Sequence, residues 1–297
     1  MIHRYIFHND CLSPQEEVRL SAGQAGLLNG WGLFTTIRVF DGVPFAFERH
    51  WKRLVRDAER TRCPFQFEVE AVRKQLLQVL RANSVKDGCA RIYAIYNRVG
   101  FWRSDENFPA VDLIIYSSDL PKYSDRARVG LREQGRHAAS PLAGVKVTSW
   151  LMNVWSLYEA QQEGFDEVVL LNERGEVAEC TAANIFCVRG GRVATPPLSA
   201  GCLEGITRGV LLEIGAGAGV PVEERMLFPE DLYKADEVFI SSTNRNLLPV
   251  VEIAGRKIGS GATPIVDRLE KVFEGFVREY IDTHAAAAGA MRTGGKQ

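Results

Sequence analysis

Along this chain the apolar residues change period, from every second position to a helical repeat and back. Residues 33–40 (LFTTIRVF) read as a strand, and Asp41-Gly42 turns it back into VPFAF, a hairpin signal. Residues 48–60 carry Trp51, Leu54, Val55 and Ala58 at the spacing of one helical face. A second helix is predicted over 69–82, with Val69, Val72, Leu76, Val79 and Leu80 turned inward. Residues 90–96 and 111–116 are strand-like and flank a loop, 97–109, rich in Arg and Trp. The polar stretch 117–128 (SSDLPKYSDRAR) contains Pro121 and marks a boundary, drawn as a linker over 119–128.

Beyond it the pattern predicts a helix over 152–163, a strand over 167–171 and a hairpin around Arg189-Gly190-Gly191-Arg192. A helix follows Thr207, a strand covers 237–241, and an amphipathic helix covers 265–281. The expected organisation is a small N-terminal α/β domain (1–118) and a larger C-terminal domain (129–284). The low-complexity tail 285–297 is expected to be frayed or disordered. No internal repeat is visible.

Composition narrows the field. At 297 residues and 46% hydrophobic, the chain is long enough for two buried cores. A formal charge of −1 gives no electrostatic case for nucleic acid. No apolar run approaches the ~20 residues that cross a bilayer, and MIHRYIFHNDCLS lacks the marks of a signal peptide. Six cysteines without a CxxC pair read as reduced packing residues, so a cytoplasmic protein is expected. Five histidines, none spaced as ligands, predict no metal site.

Candidate chemistry concentrates in 175–208, GEVAECTAANIFCVRGGRVATPPLSAGCLEGITR. Taken alone, Glu179 reads either as a turn-capping surface carboxylate or as a partner for a pyridinium nitrogen. Gly205-Ile206-Thr207 opens a helix whose unsatisfied N–H groups suit a phosphate, though the same residues would serve an ordinary N-cap. Ser241-Ser242-Thr243, at a strand end, offers hydroxyls or merely a polar loop. Arg53 lies three residues after His50 on a helix, as a solvated charge or as a fork for a phosphate. Lys146, in the alternating segment VKVT, is surface-solvated by default; desolvated beside other cations it can form a Schiff base.

In order and spacing these pieces resemble the class IV (fold type IV) pyridoxal-phosphate enzymes. That family comprises branched-chain and D-amino-acid aminotransferases, R-selective amine transaminases and aminodeoxychorismate lyase. The resemblance covers residues 23–252. It is carried by GLLNGWGLFTTIRVFDGVPF, the His50/Arg53 pair, VKVTSWLMNVWSLYEAQ, DEVVLLNERGEVAECTAANIF, LEGITR and ADEVFISSTNRNLLPV. It implies a homodimer of two-domain subunits, the larger domain built on a pseudo-barrel, with pyridoxal 5'-phosphate between the domains. It also implies Lys146 as the Schiff-base (internal aldimine) lysine and Glu179 as the ring-nitrogen partner. Arg53, Ile206, Thr207, Ser242 and Thr243 would hold the phosphate, and Leu203 would pack on the ring face.

Some positions depart from the pattern. The branched-chain and D-amino-acid enzymes usually carry Glu where this chain has Thr35, and Thr35-Thr36 and Ala182-Ala183-Asn184 look more like the lyase. At Ser149 both the lyase and the D-enzymes tend to carry Asn. Arg98 and Arg103 resemble a two-arginine loop that binds a substrate carboxylate, with Asp105 near the place of the D-enzymes' His and Trp102 narrowing the pocket. The choice of substrate is expected to rest with Thr35, Arg98, Trp102 and Arg103. KVTSWLMNVWSLYEAQ, with Asn153 and Glu159-Ala160, resembles the transaminases. The expected activity is therefore transamination of an amino acid, of the branched-chain or D-amino-acid aminotransferase kind, with a 2-oxo acid as acceptor. Aminodeoxychorismate lyase, which forms 4-aminobenzoate and pyruvate, is the alternative.

Overall fold

The computed structural model describes residues 1–20, 24–97 and 109–293, with side chains to residue 285. The chain forms two compact units. The first contains Met1–Pro121, Lys146–Ser149 and Val277–Gln297; the second contains Lys122–Val145 and Trp150–Phe276. Lys146–Ser149 thus packs with the first unit, although the sequence reading put it in the C-terminal domain. The reason lies in backbone pairing, described below.

In the first unit β1 (Tyr5–His8), β2 (Cys11–Pro14), β3 (Gly32–Phe40), β4 (Val43–Pro44), β5 (Gly88–Tyr96) and β6 (Val111–Ser118) form one sheet. Its order is β2-β1-β6-β5-β3-β4, antiparallel throughout. The helices are α1 (Ala25–Asn29), α2 (Phe47–Thr61) and α3 (Val69–Ala82). Strand alternation gives the sheet two characters. Leu33, Thr35, Ile37 and Val39 of β3 are buried on the face that meets α2, and Thr35 lies in register with Ile92, which pairs with Ile115. Phe34, Arg91, Tyr93 and Tyr116 occupy the opposite face. There the rings of Phe34 and Tyr93 stack at 5.2 Å and those of Tyr93 and Tyr116 at 5.8 Å.

Helix α2 is rotated from the face read in the sequence. Its buried residues are Phe47, His50, Arg53, Leu54, Asp57 and Ala58, whereas Trp51 and Val55 are half-buried. Trp51 lies at the rim between Phe47 and Phe65, with ring centroids at 6.1 and 5.2 Å. Helix α3 follows its predicted span, with Val72, Leu76, Val79 and Leu80 buried and Leu77 in place of Val69.

The second unit holds β7 (Ala127–Arg132), β8 (Glu167–Leu171), β9 (Val177–Cys180), β10 (Asn184–Arg189), β11 (Arg192–Thr195), β12 (Val222–Glu224), β13 (Glu237–Ser242), β14 (Asn246–Ile253) and β15 (Arg256–Lys257). With them come α4 (Leu151–Gln162), α5 (Ile206–Ile214), α6 (Pro229–Tyr233) and the start of α7 (Pro264–Thr293). The strand order is β12-β11-β10-β13-β14-β7-β8-β9, with β15 beside β14. β7 starts inside the stretch read as linker because it pairs parallel with both β14 and β8. Val129, Val169, Leu171, Val177, Ile185, Val238, Ile240 and Val250 form the core of the sheet.

Two elements differ from the simplest amphipathic picture. Helix α4 buries Asn153, Ser156 and Ala160, whereas Leu151, Met152, Val154, Trp155 and Tyr158 are exposed. Helix α7 runs on to Thr293, so residues 285–293, expected to be frayed or disordered, are helical. Alanine, which dominates that stretch, has the highest helix propensity. All six cysteines are free and five are buried, and burial pushes the Cys187 thiol up to about 11.

Candidate functional site

In the first unit the chemistry gathers at the junction of β3 and α2. The segment around Lys146 docks on β3 as an extra short strand. Lys146 O accepts Phe34 N–H at 3.1 Å, Val147 bridges Leu33, and Thr148 N–H donates to Gly32 O at 2.9 Å. On its other side the Lys146 N–H donates to Asp57 Oδ2 at 3.1 Å. Asp57 is itself buried and ion-paired to Arg56 at 2.8 Å. The lysine main chain is therefore pinned from both sides, and its Nζ sits 4.4 Å from the Phe34 ring centroid. The ring ladder on that sheet face continues to Tyr93, whose hydroxyl is pushed up to about 12, first by burial and then by Tyr116.

Four residues upstream of Asp57 on α2, Arg53 is buried rather than solvated, at 6% exposure. Its Nη2 donates to Thr35 Oγ1 at 3.0 Å, and Thr35 Oγ1 also meets His50 Nδ1 at 2.8 Å. Burial, then the charges of Arg53 and Lys146, hold the His50 imidazole well below its ordinary pKa. The ring is thus neutral. A helix face of His50, Arg53 and Asp57 is unusual enough to have been a signal, since three polar residues at i, i+3 and i+7 share one side.

The second unit arranges the remaining residues. Glu179, on β9, is 7% exposed. Its Oε1 accepts Arg136 Nε at 2.9 Å and its Oε2 accepts Leu203 N–H at 3.0 Å. Arg136 continues to Asn153 Oδ1 at 3.1 Å, and Asn153 Nδ2 to Thr181 O at 2.5 Å. Leu203 is fixed at both ends, because Asn184 Nδ2 donates to its carbonyl at 2.9 Å. Asn184 also crowds Gly205, where a Cβ would run into its Oδ1, and it pairs with Ser241 across β10 and β13. One asparagine thereby organises Leu203, the start of α5 and the approach to Ser242 and Thr243.

Helix α5 begins at Gly205 with no side-chain cap, and Ile206 and Thr207 are buried in its first turn. Arg208 turns away, to Pro196 O at 2.8 Å and to Glu224. Ser242 and Thr243 lie at the β13–β14 turn, where Ser242 Oγ accepts Arg245 N–H at 3.3 Å. Arg245 anchors this turn through a buried ion pair with Glu167 at 3.0 Å and a bond to Ala182 O at 3.2 Å. The match to the family described as Amino-transferase class IV spans residues 32–253, which includes every element of both halves except those before β3 and after β14.

The chain belongs to the class IV aminotransferases. A relative in Methanocaldococcus jannaschii, named as a candidate branched-chain-amino-acid aminotransferase, is 32% identical over 86% of this chain and 90% of its own. The D-alanine aminotransferase of Staphylococcus haemolyticus is 28% identical over 92% and 97%. A branched-chain amino acid aminotransferase from T.th., solved with pyridoxamine 5'-phosphate, superposes with a TM-score of 0.85 at 27% identity, covering 94% and 97%. The fold is accordingly the two-domain type IV fold of these aminotransferases.

Class IV aminotransferases use pyridoxal phosphate, and the residues present fit that group. A carboxylate offers about four lone-pair sites, and two of those on Glu179 are taken by Arg136 and Leu203. The first amides of α5 have no side-chain cap, and near the β13–β14 turn Ser241 Oγ and Asn244 Oδ1 are buried without a hydrogen-bond partner. Lys146 and Arg53 belong to the first unit; Glu179, Leu203, Ile206, Thr207, Ser242 and Thr243 belong to the second. Arg98, Trp102 and Arg103 lie outside the described residues. Sequence reasoning missed Asp57 and Arg136, which touch Lys146 and Glu179. Among the described residues no helix is long and apolar enough to cross a membrane.

Proposed function

We propose that this class IV aminotransferase transfers the amino group of an amino acid to a 2-oxo acid, with branched-chain amino acids as the leading substrates. The observation that carries the reading is the lysine whose main chain is pinned by Phe34 and Asp57, with its Nζ against an aromatic ladder. Pyridoxal phosphate, when bound, supplies the electron sink for the carbanion formed at the substrate's α-carbon. Lys146 would hold the cofactor and would move the substrate's α-proton as general acid and base. Glu179 would keep the ring nitrogen protonated, and Leu203 would cover a ring face. The Arg53 fork, the Ile206 and Thr207 amides, and the Ser242 and Thr243 hydroxyls would hold the phosphate. The relatives named for branched-chain substrates support the amino-acid class, and the Phe34–Tyr93–Tyr116 ladder suits an apolar side chain.

A half-reaction screen tests this. The holoenzyme is mixed with single L- and D-amino acids, and the loss of its visible absorption is followed. Leucine, isoleucine or valine of one hand is expected to bleach it, and 2-oxoglutarate to restore it. Bleaching by no amino acid, with 4-aminobenzoate released from aminodeoxychorismate, would instead support the lyase.

We further propose that the working unit is a homodimer and that α4 lies in its interface. The support is its inverted pattern, with Trp155 54% and Met152 67% exposed while Asn153 and Ser156 are buried. Stable interfaces bury about 800 Å² per partner, with aromatic residues at their centre. Trp155→Asp is expected to shift the light-scattering mass from dimer to monomer. A wild-type monomer, or an unshifted variant, would reject this interface.

A further inference from the structure

Thr35 stands where the family resemblance leads one to expect Glu, and the sequence reading gave it to the substrate. Its position points elsewhere. Side chains alternate across a strand, so Thr35 projects to the α2 side of β3, opposite Phe34 and the aromatic ladder. It is 1% exposed, between His50 at 1% and Arg53 at 6%. Its Oγ1 has two described side-chain partners, Arg53 Nη2 at 3.0 Å and His50 Nδ1 at 2.8 Å.

The direction of these bonds follows from the donor inventory. A guanidinium only donates, so Arg53 gives its proton to Thr35 Oγ1. The Thr35 hydroxyl proton is buried and needs an acceptor. Of the two partners only His50 Nδ1 can accept, which places the imidazole proton on Nε2. The depressed basicity of His50 agrees, because a ring held neutral keeps one nitrogen free to accept. The chain Arg53 → Thr35 → His50 is then complete, each group in its required role.

We propose that Thr35 is a positioning residue, whose hydroxyl ties the Arg53 guanidinium to His50 and so fixes the fork that receives the cofactor phosphate. The proposal rests on the reading of Arg53 as a phosphate ligand. Valine has nearly the shape of threonine and lacks the hydroxyl, so Thr35→Val leaves Arg53 with an unmade bond and the His50 ring without its donor. Serine restores both bonds.

Equilibrium dialysis of pyridoxal phosphate against the apoenzyme reads this directly, alongside kcat and KM at saturating cofactor. Thr35→Val is expected to weaken cofactor binding about tenfold, the scale of a hydrogen bond to a charged group. Thr35→Ser is expected to recover nearly all of that loss. Should Thr35→Val fail to fold, His50→Asn and His50→Leu carry the same test. The Asn amide oxygen can take the place of Nδ1 as acceptor and is expected to keep the affinity that Leu loses. An altered amino-acid KM with unchanged cofactor affinity overturns the proposal and returns Thr35 to the substrate. If Arg53→Ala loses affinity and Thr35→Val does not, the proposal fails while the phosphate reading stands. If Arg53→Ala itself binds cofactor normally, both fall.

Discussion

Lys146→Ala should fold as the parent does and lose turnover by at least about 10⁴-fold. The two halves of this expectation come from different atoms. Docking uses the main chain: the carbonyl to Phe34, the N–H to Asp57, and the neighbouring Val147 and Thr148 to β3. Alanine keeps all of these and gives up the contacts of Nζ, that with the Phe34 ring among them. The proposed chemistry uses Nζ, for which no other lysine on the segment substitutes. Thermal unfolding of the apoproteins is expected to match within several degrees, since a cation–π contact between a half-buried lysine and a buried ring contributes only about 0.5–2 kcal/mol. The purified variant is expected to lose the yellow colour of the wild type. Turnover at the wild-type rate would remove Lys146 from the centre of the mechanism.

Glu179→Gln is expected to retain cofactor and lower kcat by about 10²–10³-fold, the range found when one preorganised electrostatic partner is removed. Its carboxylate now serves Arg136 and Leu203 N–H together, with acceptor capacity left for a ring nitrogen. An amide has one acceptor oxygen and no charge, so it can satisfy Leu203 but cannot hold a proton on that nitrogen. Arg136 also loses its ion-pair partner. Comparison with Arg136→Met separates the two effects. If the rate loss came only from the orphaned guanidinium, the double variant Glu179→Gln/Arg136→Met would recover the wild-type kcat. A kcat unchanged in Glu179→Gln itself would end the ring-nitrogen assignment.

Much of the fold could be read from the sequence because local pattern and tertiary environment agree there. Helix α3 is periodic, exposed on one side and buried on the other, and it occupies its predicted span. Helix α2 shows where such reading stops. Counting only apolar residues selects Trp51 and Val55, yet the buried side also carries His50, Arg53 and Asp57. These polar groups are tolerated because Thr35, Arg56 and the Lys146 N–H satisfy them, and of these only Arg56 lies on the helix itself. Helix α4 inverts the rule again, its apolar residues facing outward. The proposed cofactor residues stand out mainly through their resemblance to a family. Arg136 does not, since nothing in its polar surroundings pairs it with Glu179, 43 residues further on.

The grouping of Lys146–Ser149 with the first unit bears on how the chain is made and how it can be cut. The lysine's backbone partner Asp57 lies 89 positions earlier and so leaves the ribosome well before it. The strand that receives residues 146–148 is older still in the order of synthesis. A fragment beginning after residue 121 would contain Lys146 in its sequence but none of the groups that orient its backbone. Dissection at the apparent boundary therefore separates Lys146 from its mould, and restoring its docking would require complementation by the N-terminal fragment.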